Sequence, residues 1–308
     1  MLVSALSIAL MLAGAQTAPP ASTTQAQGQD QATTLSTIEV EGQRRTAYNS
    51  ARSFANEILV TPPRRGIARW RPTEPICPGV VNMQRDVAQA LADRIVDRVL
   101  ELGLQAGEPG CKANVIIIGA DDGAAMASSL IEDRPTAYMT GVAGTSLTYR
   151  ALNIFRTSDV PVRWWMLTLP LDARTGELTV RSRNGDDAPT RRIDGASRLS
   201  SQDINAIFQV MVDIDVNRIG TVDVGQLGDY IAMVTLAQVD AEAEVAGFET
   251  VLNLFDDPAN VTGLTDWDLT YLRQLYAADL NVLRSSAQVG RIAGAMARAE
   301  EEAAETGD

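Results

Sequence analysis

The clearest hydrophobic pattern in the chain lies between residues 206 and 239. Residues 206–216 (AIFQVMVDIDV) are mostly apolar and β-branched, which predicts a strand that is buried on at least one face. A turn containing Gly220 follows, and residues 225–239 then repeat apolar side chains at helical spacing, namely Leu227, Ile231, Val234 and Val239. This stretch therefore predicts a buried strand followed by a buried helix.

The same patterning predicts the other elements of the chain. Strands are expected at 67–71, 113–119 and 162–169, and helices at 83–104, 123–131, 266–278 and 285–302. Asn82 is expected to cap the first of these helices, and Asp121 or Asp122 the second. Residues 178–183 are expected to form a hairpin with strand 162–169. The order predicts an α+β fold, with a mixed sheet flanked by helices and further helices at the C-terminus.

The N-terminal part of the chain differs in composition from the rest. Residues 1–15 are apolar, uncharged and end in small residues, which predicts a signal peptide; an N-terminal membrane anchor is the alternative. Residues 16–66 are expected to be a flexible leader, with a possible short strand at 37–45 and a possible short helix at 47–58. The main domain is then expected at 67–280, followed by an Ala- and Glu-rich helical region at 281–308. These features predict a periplasmic or secreted protein with no integral membrane segment after signal cleavage.

Charge and residue usage narrow the function. The chain has 26 basic and 39 acidic residues, giving a formal net charge of −13, which disfavours nucleic acid and anionic membranes as partners. It has no histidine, and its only lysine is Lys112. The commonest general base and metal ligand are therefore missing. We expect no cofactor and no enzymatic activity.

The only two cysteines are Cys77 and Cys111. Cys77 precedes the long helix at 83–104 and Cys111 precedes the next strand, so both fall at one end of a strand–helix–strand unit. An oxidising compartment would favour a disulfide between them, and two buried free thiols are the alternative.

Three further groups of residues are candidates for binding or chemistry. Asp213, Asp215 and Asn217 imitate the start of a calcium loop, but Arg218 and Val224 occupy the positions that need Gly and Glu. A carboxylate-dependent hydrolase would instead need Asp213, Asp215 and Asp122 gathered in one cleft. The two Arg- and Trp-rich motifs suggest a binding surface for an envelope or extracellular protein, made of Trp70, Arg163, Trp164 and Trp165.

Residues 251–276 (VLNLFDDPANVTGLTDWDLTYLRQLY) resemble the segment that follows the active-site helix of zincin-type metallopeptidases. The matching positions are Asn253, Leu264 and Thr265, Asp268, and residues 272–276. The resemblance covers roughly residues 67–280 and implies a zincin-like fold. The chain also looks like a group of secreted bacterial proteins that share RWW and LxxYIAMV-like stretches, and that group implies no activity.

The helix before this segment departs from the zincin pattern. Zincins need His-Glu-x-x-His, because residues four apart place both imidazoles on one face of the helix. One alignment puts Tyr230, Ile231 and Val234 at these positions, and a shifted one puts Gln226, Leu227 and Tyr230 there. The resemblance thus implies a degenerate zincin helix, marked by Gln226, Tyr230 and Val234, without a metal.

The leading hypothesis from the sequence is an exported, non-enzymatic binding or accessory protein of the cell envelope. A carboxylate-dependent hydrolase is the first alternative, and a calcium-stabilised structural protein is the second.

Overall fold

Five strands form one mixed sheet in the computed structural model, which describes residues 45–60, 66–71, 73–139, 147–179, 201–282 and 284–306. The strands are β1 (Ala68–Arg69), β2 (Pro78–Val81), β3 (Val115–Ala120), β4 (Val162–Asp172) and β5 (Asp203–Asp215). The helices are α1 (45–58), α2 (Arg85–Glu101), α3 (Gly123–Asp133), α4 (Pro135–Tyr138), α5 (Tyr149–Thr157), α6 (Val224–Leu236), α7 (Asp266–Ala277) and α8 (Ser285–Thr306). A 3-10 turn, Val251–Asn253, lies between α6 and α7.

Strand β5 is the centre of the sheet. On one side β1 runs parallel to its beginning and β3 parallel to its second half, with Val115 opposite Val210. On the other side β4 runs antiparallel along nearly its whole length, with Arg163 opposite Asp213. Strand β2 extends the sheet beyond β3 in parallel. The predicted class is therefore confirmed at this level: a mixed, mainly parallel sheet flanked by helices.

Alternate residues of β5 face two different hydrophobic cores, as the period of a strand requires. Val210, Val212 and Ile214 face the larger core, to which α1, α2, α6, α7 and α8 contribute. Met211 faces a smaller core, where it packs with Trp165 and with side chains from α3, α4 and α5. The sheet is thus a layer between two unequal groups of helices.

Helix α6 is the most buried helix on the larger side. Every residue from Gln226 to Leu236 is buried, and α6 packs closely against α2. A side chain at Gly228 would meet Arg94, since a Cβ there would lie 2.7 Å from Arg94 Cγ. The absence of a Cβ therefore lets the two helices approach. The predicted buried strand and the buried helix after it are both present.

The N-terminal helix belongs to the folded unit. The helix expected at 47–58 is present as α1, and Ala51, Phe54, Ala55 and Ile58 on it are fully buried. This helix supplies part of the larger core. The predicted signal peptide at 1–15, and the leader up to residue 44, lie outside the described residues.

One local prediction upstream of β3 is wrong, and one strand there was not predicted. Asn82 does not cap a helix: it has a φ of 58°, its Nδ2 donates a hydrogen bond of 2.6 Å to Gly119 O, and α2 begins only at Arg85. It instead ties the turn after β2 to β3. The strand β2 was not predicted, because PGVV is too short to show a period. The cap of α3 is confirmed as Asp122, which accepts from Ala125 N at 2.9 Å.

Past β4, only part of the expected hairpin is described. Leu178 forms a single antiparallel bridge with Leu171, and residues 180–183 lie outside the described part of the chain.

The predicted disulfide is confirmed. Cys77 and Cys111 are bonded, with their Cα atoms 6.2 Å apart, and they join the residue before β2 to the loop before β3. Gly107 contacts both cysteines, and a Cβ on it would overlap Cys111 Sγ.

None of the helices in the described part of the chain is long and apolar enough to cross a membrane.

Candidate functional site

A groove of about 370 Å³ opens beside the first residues of β4. One wall comes from α5 and the loop before β4, and the other comes from the end of α6 and the loops that follow it. The residues used below are Arg163, Trp164, Tyr230, Asp240, Phe255 and Asp256. This volume falls within the range of about 300–1,000 Å³ that is usual for ligand pockets.

Three aromatic rings line one wall of the groove. Tyr230 lies between the other two, with ring centroids 6.2 Å from Trp164 and 5.0 Å from Phe255, both edge to face. Trp164 Nε1 donates a hydrogen bond of 3.1 Å to Val239 O, which fixes the indole. Because Trp164 and Phe255 are only partly buried, the groove offers apolar and π surface to a ligand.

The outer edge of β4 has unused peptide groups in this region. Asp215 N donates to Pro161 O at 2.9 Å, and hydrogen-bonded pairs alternate along an antiparallel ladder. The peptide groups of Val162, Trp164 and Met166 therefore point away from β5. No described residue forms a hydrogen bond with them on that side. The groove thus lies beside the start of β4, whose outer peptide groups have no hydrogen-bond partner among the described residues.

The surface predicted from the two Arg- and Trp-rich motifs does not exist as one patch. Trp70 is only 1% exposed and donates from Nε1 to Thr235 O within the larger core, so its assignment to that surface is wrong. Trp165 lines the groove, but its indole is buried in the smaller core and donates to Tyr138 O. Trp164 and Arg163 also line the groove.

The three positions that the sequence analysis assigned to a degenerate zincin helix do not converge on one site. Gln226 Nε2 donates to Pro258 O at 2.9 Å and to Val261 O at 2.7 Å, which holds the loop after the 3-10 turn. Val234 is fully buried in the larger core. Only Tyr230 reaches the groove.

The motif after this helix has structural roles. Asp268 is fully buried and accepts hydrogen bonds from Thr250 Oγ1 at 2.6 Å, from Val251 N at 2.7 Å and from the Thr265 hydroxyl. Burial raises the pKa of Asp268 although these hydrogen bonds oppose the effect. Asn253 Nδ2 donates to two carbonyl oxygens of the preceding loop. These residues fix the path of the chain between α6 and α7.

Arg163 and Asp213 are cross-strand neighbours that do not form an ion pair. Both are buried, and among the described residues neither carboxylate oxygen of Asp213 has a hydrogen-bond partner. Arg163 uses Nη2 to hold Ser158 O and Val160 O, while its Nε and Nη1 have no partner in the described chain. Burial raises the pKa of Asp213 to about 7, and the positive charge of Arg163 opposes this rise.

The two alternative functions both depend on Asp213. Asp215 accepts from Gly123 N at 3.2 Å and Asp122 caps α3, so the carboxylates beside Asp213 already have structural partners. None of the three lines the groove, and no group of three or more His, Cys, Asp or Glu among the described residues is placed to hold a metal ion. The arrangement offers a single buried acid, without a cleft around it.

The sequence analysis did not assign Phe255, Asp240 or Asp256 to a site, although all three line the groove. They lie in loops after α6, and the bond from Trp164 to Val239 shows that these loops meet a strand about 75 residues earlier in the chain. Asp229 was also missed, although a charged residue within the apolar helical run 224–236 was a usable signal.

We expect the stability of the protein to fall as pH rises because of Asp213. The folded pKa of about 7 exceeds the unfolded value near 4, so the folded state keeps a proton that the unfolded chain releases between these pH values. From about pH 5 to about pH 8 this effect should cost about 2.5 kcal/mol. Urea unfolding of the wild type and Asp213→Asn at both pH values measures it. If the free energy of unfolding changed with pH in the same way in both proteins, the role assigned to Asp213 would be wrong.

Comparison with models of known protein families, with curated proteins and with solved structures found no match to this chain.

Proposed function

We propose that this chain is an exported, non-enzymatic binding module with a zincin-like fold and no zinc site, and that it holds an extended peptide segment along β4. The observation that carries the proposal is a groove of about 370 Å³ beside β4, on the side where no described residue bonds to the peptide groups of Val162, Trp164 and Met166. An extended peptide that adds to a sheet edge gains main-chain hydrogen bonds there, and adjacent pockets select its side chains.

Two features support the finer parts of the proposal. The antiparallel edge strand β4 and the buried helix α6 both border the groove, and the zincin-like segment 251–276 follows this helix. The disulfide between Cys77 and Cys111 is typical of proteins in an oxidising compartment, which supports export.

Binding is favoured over hydrolysis by the chemistry of the groove. Its titratable lining residues in the described chain are Asp159, Arg163, Tyr230, Asp240 and Asp256. None of its carboxylates is buried beside a second one, as an acid–base pair requires. Asp213, whose pKa burial raises to about 7, does not line it.

Filling the groove should abolish peptide binding. Ala241 lines the groove and is exposed, so Ala241→Trp should obstruct it with little effect on folding. Ala246→Trp is the matched control, because Ala246 is exposed in the same loop but does not line the groove. Linear peptides selected from a random display library on the wild type should bind Ala241→Trp at least about tenfold more weakly, and Ala246→Trp equally well.

The mode of binding is tested by N-methylation of a selected peptide. Methyl groups on the amides that face β4 should prevent binding, whereas methyl groups on the alternate amides should not. If no peptide is enriched, or if the enriched peptides bind Ala241→Trp as tightly as the wild type, the proposed function is wrong.

A further inference from the structure

The groove carries negative charge that the described chain does not neutralise. We infer that the peptide segment bound there presents a lysine or arginine side chain to Asp240, Asp256 and the aromatic wall. This inference rests on the proposed function and adds the chemistry of the ligand to it.

Most charges around the groove already have partners. Asp159 is paired with Arg218 at 2.6 Å, and Glu242 beside the groove is paired with Arg150 at 3.1 Å. Arg163, the one cation among the described lining residues, interacts electrostatically with Asp213, Asp215 and Asp122. Burial lowers the pKa of Arg163, and these carboxylates oppose the effect. The carboxylates that interact with Arg163 are thus ones other than Asp240 and Asp256.

Asp240 and Asp256 remain without an ion-pair partner among the described residues. Asp240 is partly buried and uses Oδ1 to accept from Glu242 N at 3.0 Å, which leaves Oδ2 available. Asp256 is exposed and follows Phe255 directly. Burial, and secondly the charge of Asp256, raise the pKa of Tyr230, so the phenol stays neutral and the field of Asp256 reaches the aromatic wall.

The aromatic wall favours the same kind of ligand. A cation near the face of a Trp, Tyr or Phe ring is attracted by the ring quadrupole, and the attraction increases where water is partly excluded. Trp164 and Phe255 are partly exposed, each contacts Tyr230, and they line the same groove as the two carboxylates. A long basic side chain can lay its apolar stem on the rings and place its charge at the carboxylates.

The test uses blocked synthetic peptides with one extended valine- and threonine-rich sequence that differ at a single central position, which holds lysine, glutamine or glutamate. Affinities are measured by calorimetry for the wild type and for Asp240→Asn/Asp256→Asn. Asparagine keeps an oxygen for the Glu242 N–H bond and removes only the charge. The matched control is Asp93→Asn/Asp97→Asn, which makes the same change in net charge at exposed positions of α2.

We expect the wild type to bind the lysine peptide about tenfold more tightly than the glutamine peptide, and the glutamate peptide most weakly. This preference should disappear in Asp240→Asn/Asp256→Asn and persist in Asp93→Asn/Asp97→Asn. Equal binding of the lysine and glutamine peptides by the wild type would overturn the inference and leave the proposed function standing. A lysine preference that survives in Asp240→Asn/Asp256→Asn would also overturn it, because the net charge of −13 would then be the cause. If none of the three peptides binds, the proposed function itself fails.

Discussion

Asp229→Ala is expected to lower the free energy of unfolding by about 3–5 kcal/mol, which is the usual cost of removing one partner from a buried ion pair. Asp229 is fully buried on α6 and accepts hydrogen bonds from both Arg94 and Arg98 of α2, at 2.7–3.0 Å. It also accepts from Leu264 N at 3.0 Å. One carboxylate therefore connects two helices and the loop before α7. Alanine at this position would leave the donors of Arg94, Arg98 and Leu264 without their acceptor.

Urea unfolding at neutral pH measures the effect of Asp229→Ala. The matched control is Asp279→Ala, which breaks the ion pair with Arg291 on a side chain that is 66% exposed. Exposed pairs contribute about 1 kcal/mol or less, so the control should stay close to the wild type. Equal effects of the two substitutions would refute the role assigned to Asp229.

The contribution of Asp229 to stability depends on pH in the opposite direction to the contribution of Asp213. Burial alone would raise the pKa of Asp229, but the hydrogen bonds from Arg98, Arg94 and Leu264 outweigh burial and hold the pKa below its ordinary value. The stabilisation is therefore complete above the unfolded pKa near 4 and is lost as pH falls through the lowered folded value. As pH falls below about 4, the free energy of unfolding of Asp229→Ala should therefore decrease less than that of the wild type.

Removal of the disulfide should have the second large effect. Cys77→Ser/Cys111→Ser is expected to lower the free energy of unfolding by about 3–4 kcal/mol, because the bond closes a loop with a sequence separation of 34 residues in the unfolded chain. Unfolding by urea without reductant compares the variant with the wild type. Reductant should shift the wild type toward the variant and leave the variant unchanged. A wild type whose transition does not respond to complete reduction would contradict this prediction.

The long strands and helices of the fold could be predicted because each is long enough to show its hydrophobic pattern in the sequence. Strands β3 and β5 are nearly continuous apolar runs, and α2 repeats Leu91, Ile95 and Val99 on its buried face. Strand β2 has only four residues, and helix α2 separates it along the sequence from its partner strand, β3. Its assignment depends on that pairing and not on a local pattern.

The site was less predictable than the fold, and the tryptophans show why. Trp70 and Trp164 lie in similar Arg-Trp contexts, but Trp70 follows the two-residue strand β1 and is buried against α6, whereas Trp164 lies on β4 and lines the groove. Alternation along β4 then places the indoles of Trp164 and Trp165 in different cores. Whether a tryptophan lines the groove thus depends on which helices pack over it, and the two local sequences do not distinguish these cases.

The central position of β5 also constrains how the chain can fold. Its three partners, β1, β3 and β4, all precede it in the sequence, and the contact between Ala68 and Asn205 spans most of the domain. During synthesis or passage through a membrane from the N-terminus, no native pairing of these three strands with the sheet centre is available until residue 203 and beyond have emerged. Until then their edges stay open to incorrect pairing and aggregation. Completion of the sheet therefore awaits the last third of the chain.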